Sequence, residues 1–194
     1  MTKLYFRYGV VSSAKTLGLL AIAHTYEAQG KKVVVMKPRL DIRFGQHSIS
    51  SRAGLSRTAD VLVSDDDILH IDDFINNDVI LVDEVQFLSP NIIDQLREIV
   101  TTHKIPVICY GLRSNFRTEL FPGSKRLLEL ADNIEEIKTT CSFCNKKAVF
   151  NLKCIDGIPT ISGPAVELGA EELYLPTCPK HYMEKITTRN LPKN

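Results

Sequence analysis

Apolar positions in this chain follow two periods. Short β-branched and aromatic runs read as strands, and stretches with apolar residues three and four apart read as helices. Leu4-Tyr5-Phe6-Arg7-Tyr8 is the first strand, and Leu17 to His24 opens a helix that should run to about Ala28, where Gln29-Gly30 supplies a C-cap glycine. Lys32 to Met36 reads as a buried parallel strand. Ala59 to Val63 is a short strand, and Asp65 to Asn77 is expected to form a helix whose opening Asp cluster suits the positive helix end. Val79-Ile80-Leu81-Val82 is a strand that terminates in Asp83-Glu84. Pro90 opens a helix to about His103, Pro106 to Tyr110 is a further buried strand, Gly123 to Ala131 a short helix, and Ile134 to Ile137 a last strand. The order predicts an α/β fold, a mostly parallel sheet flanked by helices, over residues 1–138. From Lys138 the composition shifts, and residues 139–194 read as a second, smaller unit.

Two segments interrupt the pattern. Pro38 to Arg57 is polar, rich in Ser and Arg, and aperiodic. A stretch of that kind is either functional or a solvated surface loop, and its Arg39, Arg43, Arg52 and Arg57 can meet a polyphosphate. The segment Gly111 to Pro122 follows a strand's carboxyl end, where ligands of open α/β sheets bind. Its Phe116 and Phe121 either stack on a base or wedge the core.

The chemistry concentrates in three places. Gly9-Val10-Val11-Ser12-Ser13-Ala14-Lys15-Thr16 lies between strand and helix and closes on Lys-Thr, the layout of a phosphate-binding loop. In such a loop backbone N–H groups surround an anion, Lys15 neutralises phosphates and the Thr16 hydroxyl holds Mg²⁺. Ala14 departs from the pattern, which expects Gly, and its methyl is compatible with a negative φ. Asp83 and Glu84 at a strand end match the acidic position that holds Mg²⁺ beside such a loop. Cys141-Ser142-Phe143-Cys144 and Cys178-Pro179-Lys180-His181 are two knuckles with the same spacing, a pattern for tetrahedral Cys₃His zinc. The segment carrying them has few apolar residues, so a metal cross-link would supply folding energy. Cys109 and Cys154 fall outside this pattern and read as packing residues.

Composition excludes several classes. Among 194 residues, 44% are hydrophobic and 24% charged, as in ordinary globular proteins. The formal net charge of +1 provides no global field toward nucleic acid or membrane. No apolar run is long enough to span a bilayer, and no export signal opens the chain, so a cytoplasmic location is expected.

Taken together, the motifs resemble the type II, zinc-containing thymidine kinase family. The resemblance rests on the phosphate loop, on Asp41-Ile42-Arg43 followed by Ser51-Arg52-Ala53-Gly54-Leu55, and on Asp83-Glu84-Val85-Gln86-Phe87. It continues through Gly111-Leu112, Phe116, Phe121-Pro122-Gly123-Ser124, both knuckles and Tyr182. It implies a P-loop (RecA-like) sheet, a C-terminal zinc-ribbon domain with a lasso loop, and transfer of the ATP γ-phosphate to the 5′-hydroxyl of thymidine. Deoxyuridine is the expected second substrate. By this resemblance Glu84 is the general base, and Thr16 and Asp83 hold Mg²⁺. Gly9 to Thr16 with Arg43, Asp83 and Gln86 binds ATP. Val11, Gln86, Phe87, Leu112, Phe116, Phe121, Val166 and Tyr174 line the nucleoside pocket, which the loop Gly163–Tyr174 closes. Thymidine triphosphate as end-product inhibitor and a homotetramer are also implied. Four residues differ from the family pattern: Ala14, Val11 in place of Met, Ala170 in place of Gly, and Lys153 in place of Arg. Two other readings share these motifs: a nucleic-acid-linked P-loop ATPase with a zinc ribbon, and a nucleotide-binding protein whose loop Ala14 has disabled.

Overall fold

Strands β1 (Leu4–Tyr8), β2 (Val33–Pro38), β5 (Val61–Val63), β6 (Val79–Val82), β7 (Val107–Gly111) and β8 (Asn133–Glu136) pair in the order β5-β2-β6-β7-β1-β8. The computed structural model describes residues 2–164 and 173–187. Every pairing in this sheet is parallel. The inner strands β2, β6 and β7 are buried along their whole length, which is why they read as continuous apolar runs. β7 lies between β1 and β6, so the phosphate-loop strand and the acidic strand are not neighbours.

Strand alternation sends side chains to two cores. Val34, Met36, Ile80, Val82, Val107 and Cys109 face one side, with Ile92, Ile93 and Leu96 of helix α2 (Pro90–Glu98) and Leu127 of helix α3 (Pro122–Leu130). Val33, Val35, Val79, Leu81, Ile108 and Tyr110 face the other, with Leu19, Leu20 and Ala23 of helix α1 (Lys15–Ala28). Cys109 is fully buried, as expected of a packing residue.

The structure corrects two expectations. Residues 65–77 do not form a helix; they make turns with one short 3-10 segment, Ile71–Asp73. Of the aspartates that suggested a helix start, Asp67 captures a backbone group instead: its Oδ2 accepts the Ser64 N–H at 2.8 Å. Gln95 takes the Leu69 N–H and donates to the Asp67 carbonyl, and Phe74 plugs the core. The 38–57 segment, aperiodic in sequence, carries an antiparallel hairpin of β3 (Ser48–Ser50) and β4 (Ser56–Thr58). Its Ile49 is buried beside α1, a single anchor too brief to create periodicity. The predicted helix to His103 does extend that far, with Ile99–His103 as a π turn after α2.

The C-terminal segment forms a second, antiparallel sheet of β9 (Phe150–Ile155), β10 (Ile158–Thr160) and β11 (Tyr174–Thr177), followed by helix α4 (Pro179–Thr187). Among the described residues its buried apolar cluster is Leu152, Cys154 and Tyr182, small for independent stability.

Candidate active site

The loop between β1 and α1 is shaped by close contacts. A Cβ on Gly9 would lie 2.2 Å from Ser13 Oγ and 2.7 Å from the Ile137 carbonyl, so glycine is required there. Ser12 and Ala14 both take left-handed backbone angles, with φ of 58° and 63°. The negative φ with which the Ala14 methyl would be compatible is therefore not the one adopted. A left-handed alanine costs roughly 1–2 kcal/mol, whereas glycine costs roughly 0.4–1 kcal/mol in unfolded-chain entropy. Ala14→Gly is therefore expected to raise Tm by a few degrees in a melting experiment; a lowered Tm would show that the methyl makes a favourable contact.

Lys15 is buried, and its Nζ donates to the Val10 carbonyl at 2.8 Å and Ser13 Oγ at 3.4 Å. Burial lowers the ammonium to about 8, against the pull of Glu84 and Asp83. The Thr16 hydroxyl donates to Asp83 Oδ2 at 3.1 Å, which brings together the two residues expected to hold Mg²⁺. Burial pushes the Asp83 carboxyl up to about 7, with the Glu84 charge adding to the effect.

Glu84 sits in a left-handed conformation, φ 50°, at the turn out of β6. Both carboxylate oxygens are engaged. Oε1 meets Arg43 Nη2 at 2.7 Å, and Oε2 accepts the Gln86 amide N–H. Gln86 Oε1 in turn accepts the Leu112 N–H at 2.9 Å. A Cβ on Gly111 would come within 2.5 Å of that oxygen, so the small residue lets the chain pass. Arg43 is also bonded to Asp41, at 2.6 Å, and Lys37 lies 3.4 Å from the same carboxylate. Glu84 and Asp41 raise the Arg43 guanidinium further above its ordinary value, although burial, the largest influence, opposes them.

These groups face a cavity of about 410 Å³. Its polar end is the phosphate loop with Asp83 and Glu84, and its apolar end holds Phe87, Phe116, Phe121, Leu112 and Tyr174. Phe87 and Phe121 meet edge-on at 6.0 Å between centroids, and Phe116 lies 6.2 Å from Tyr174. Phe116 and Phe121 are almost fully buried and also line the cavity, so packing in the core does not remove them from the cavity wall.

The second sheet contributes Asn151 from β9. Its Oδ1 accepts the Val11 N–H at 2.9 Å and its Nδ2 donates to the Ser114 carbonyl at 3.0 Å. Tyr182 Oη donates to the Phe116 carbonyl, and Lys153 Nζ lies 5.0 Å from the Phe116 ring centre. The ligand atoms of Cys141, Cys144, Cys178 and His181 all lie within 4.8 Å of one another. Cys144 and Cys178 Sγ are 3.9 Å apart, and His181 Nδ1 lies 3.5 Å from Cys141 Sγ and 3.4 Å from Cys178 Sγ. Ligands at about 2.3 Å (sulfur) and 2.0 Å (nitrogen) from a tetrahedral ion are spaced at roughly 3.5–3.8 Å, so the donor set fits a metal such as zinc. Burial opposes ionisation of Cys141, but the Cys178 and Phe143 N–H groups and His181 bring its thiol down to about 6, which favours the metal-binding thiolate.

The family model described as thymidine kinase matches residues 2–182. The chain belongs to the thymidine kinase family. A thymidine kinase of Lactiplantibacillus plantarum is 46% identical over 184 residues, covering 94% of this chain and 96% of the relative. A thymidine kinase of Enterococcus faecalis is 44% identical over 192 residues, covering 96% and 97%. Among solved structures, the Pif1 helicase from Candida albicans is similar at 12% identity and a TM-score of 0.40, over 70% of this chain and 36% of that one. That likeness is too weak to bear on function.

Against the residues expected from the thymidine kinase resemblance, the cavity gathers Val11 to Thr16, Arg43, Asp83, Glu84, Gln86, Phe87, Leu112, Phe116, Phe121 and Tyr174. Gly9 and Val10 do not line it; they border a separate small cavity together with Tyr8, Arg113 and Ser114. Val166 and Ala170 lie outside the described residues. Arg43, expected on ATP, rests on Asp41 and Glu84. Asn151 was missed, since a lone Asn in an apolar strand carries no motif; its polar side chain in an otherwise buried run was the available signal.

Proposed function

We propose that the chain transfers the γ-phosphoryl group of Mg·ATP to the 5′-hydroxyl of thymidine, giving thymidine monophosphate. The observation that carries the reading is one cavity with two ends: a phosphate loop beside paired carboxylates, and an aromatic subsite for an uncharged base. Phosphoryl transfer depends on positioning and charge neutralisation more than on covalent chemistry. Lys15 and the loop N–H groups orient the phosphates. Thr16 and Asp83 would hold Mg²⁺, which, when bound, neutralises phosphate charge. Glu84 accepts the 5′-hydroxyl proton, while Arg43 and Gln86 hold its carboxylate in place. The aromatic side chains exclude water and orient the base.

Residues 1–138 then form the nucleotide-binding domain, and 139–194 a zinc-bound domain that closes the nucleoside subsite. The family resemblance supports deoxyuridine as a second substrate, thymidine triphosphate as end-product inhibitor, and a homotetramer. The test is a nucleoside panel with ATP and Mg²⁺. Thymidine and deoxyuridine should be phosphorylated, and absence of product at high protein concentration would overturn the reading. The net charge of +1 disfavours a nucleic-acid-dependent ATPase.

A pH dependence follows from two shifted groups. Nucleotide binding needs Asp83 ionised and Lys15 protonated. Affinity for a Mg²⁺-bound non-hydrolysable ATP analogue should peak between about pH 7 and pH 8. It should fall below that window as Asp83 takes up a proton and above it as Lys15 loses one. Calorimetric titrations across this range check it; a flat profile contradicts it.

A further inference from the structure

The tip of the segment between β7 and α3 carries a half-buried arginine, Arg117, that no role above uses. Asn115 shapes this tip. Its Oδ1 accepts the Arg117 N–H at 2.8 Å and the Glu119 N–H at 3.1 Å, and its own N–H donates to the Glu119 carbonyl at 2.9 Å. An Asn that captures the N–H two residues on fixes a turn by itself, and Thr118 takes a left-handed φ of 68° within it. Phe116 is buried and lines the cavity, while the next residue, Arg117, reaches the second sheet. Its Nε donates to the Ile161 carbonyl at 3.1 Å and its Nη2 to the Gly163 carbonyl. Its guanidinium carbon also lies 4.9 Å from the centre of the Phe116 ring. Ile161 and Gly163 follow directly on β10. In β9, Lys153 pairs with Thr160 on one side and with Tyr174 on the other, so the chain leaves β10 and returns in β11 on either side of Lys153. Gly163 takes φ +102°, and a Cβ there would lie 2.9 Å from Lys153 Nζ, so glycine suits the point where the chain bends to offer its carbonyl.

We infer that Arg117 is a positioning residue for the nucleoside: it ties Ile161 and Gly163 to the Phe116 turn and so holds two walls of the aromatic subsite against each other. The inference rests on reading the aromatic end of the cavity as the nucleoside subsite. The placement of the bonds supports it. Asn151 to the Ser114 carbonyl and Tyr182 to the Phe116 carbonyl also join the second sheet to this segment, and both bonds are buried. They fix its root. The Arg117 bonds lie at the exposed edge and reach the end of β10, which those two do not. Ser162 N–H donates to Thr160 Oγ1 at 3.0 Å, a local bond that ties the chain to its own strand and not across the subsite. A guanidinium suits the task, because its planar fork serves two acceptors at once while its flat face lies over an aromatic ring. An uncharged nucleoside is retained by the fit of the walls around it. A wall that shifts therefore costs nucleoside affinity, while the phosphate end keeps its own contacts.

The experiment compares the full-length protein with Arg117→Ala, Arg117→Lys and Gly163→Ala. It measures kcat and the KM for thymidine at saturating Mg·ATP, calorimetric binding of Mg·AMPPNP, the imido analogue of ATP, and Tm. Arg117→Ala should raise the thymidine KM about tenfold, the scale of one hydrogen bond from a charged donor. Its kcat should fall by less than about threefold and its Mg·AMPPNP affinity should stay within about twofold. Its Tm should drop by less than about 3 °C, the range of a substitution near the surface. Arg117→Lys keeps the charge without the fork, so it should recover part of the KM loss. Gly163→Ala, which displaces an accepting carbonyl and leaves Arg117 intact, should raise the thymidine KM as well. An unchanged thymidine KM in Arg117→Ala, or a rise matched by an equal loss of AMPPNP affinity, would overturn the assignment. A wild-type protein that binds Mg·AMPPNP but phosphorylates neither thymidine nor deoxyuridine would bring down the nucleoside reading itself, and the assignment with it.

Discussion

Replacing Glu84 by Gln is expected to lower kcat about a thousandfold, the scale of a positioned general base, while binding of Mg·AMPPNP stays within about threefold. The amide keeps the shape of the side chain and can still meet Gln86, but it cannot accept the 5′-hydroxyl proton. Arg43 loses a carboxylate partner and keeps Asp41, held bidentately at 2.6 and 3.1 Å. The fold should therefore survive, and a melting curve on the same sample verifies that. Glu84→Asp sharpens the test: it retains the charge and shortens the reach, so it should fall between wild type and Glu84→Gln. The two kinetic constants separate the roles of neighbours. An Asp83→Asn change should act mainly on nucleotide binding, since Asp83 is bonded to Thr16 at the phosphate end. Near-normal turnover in Glu84→Gln would remove Glu84 from the base role and leave positioning alone to explain catalysis.

The parts of the fold that were legible in the sequence are those where one physical demand dominates. β2, β6 and β7 are buried on both faces, so the continuous apolar runs of Val33 to Met36, Val79 to Val82 and Val107 to Tyr110 could only be inner strands. The knuckles at Cys141 and Cys178 were legible because metal geometry limits ligand spacing. Legibility failed where two demands compete. Residues 65–77 have a helix-like charge pattern, but the Asp67 side chain outcompetes helical hydrogen bonding at Ser64. The left-handed backbone of Ala14 follows from how the loop enters α1, and nothing in an Ala side chain announces it. Arg43, which the family resemblance gives to ATP, lines the cavity; its contacts with Asp41 and Glu84 depend on how the 38–57 segment folds back over the β6 end, which no local pattern announces.

Loss of the metal site should be at least as damaging as loss of the base, although its ligands stand apart from the phosphate loop. Cys178→Ser removes one of four ligands from a segment whose own apolar cluster is Leu152, Cys154 and Tyr182. Structural zinc supplies on the order of 10 kcal/mol in small sites, far more than a core of that size can replace. The segment is joined to the cavity by specific bonds. Asn151 holds the Val11 N–H and the Ser114 carbonyl, Tyr182 holds the Phe116 carbonyl, and β11 delivers Tyr174. When the second sheet loosens, these contacts go together, so the phosphate loop loses a tie at Val11 and the aromatic subsite loses one wall. Elemental analysis is expected to find equimolar metal in the wild type and none in Cys178→Ser, which should melt at a clearly lower temperature and retain below about one per cent of wild-type kcat/KM. Chelation of the wild-type protein should reproduce the effect, and added zinc should reverse it. Asn151→Leu separates the two halves of the argument: the metal should remain bound while nucleotide and thymidine binding both weaken. Full activity in a metal-free Cys178→Ser protein would show that the second sheet holds its shape without the ion, and that the bonds from Asn151 and Tyr182 suffice to complete the cavity.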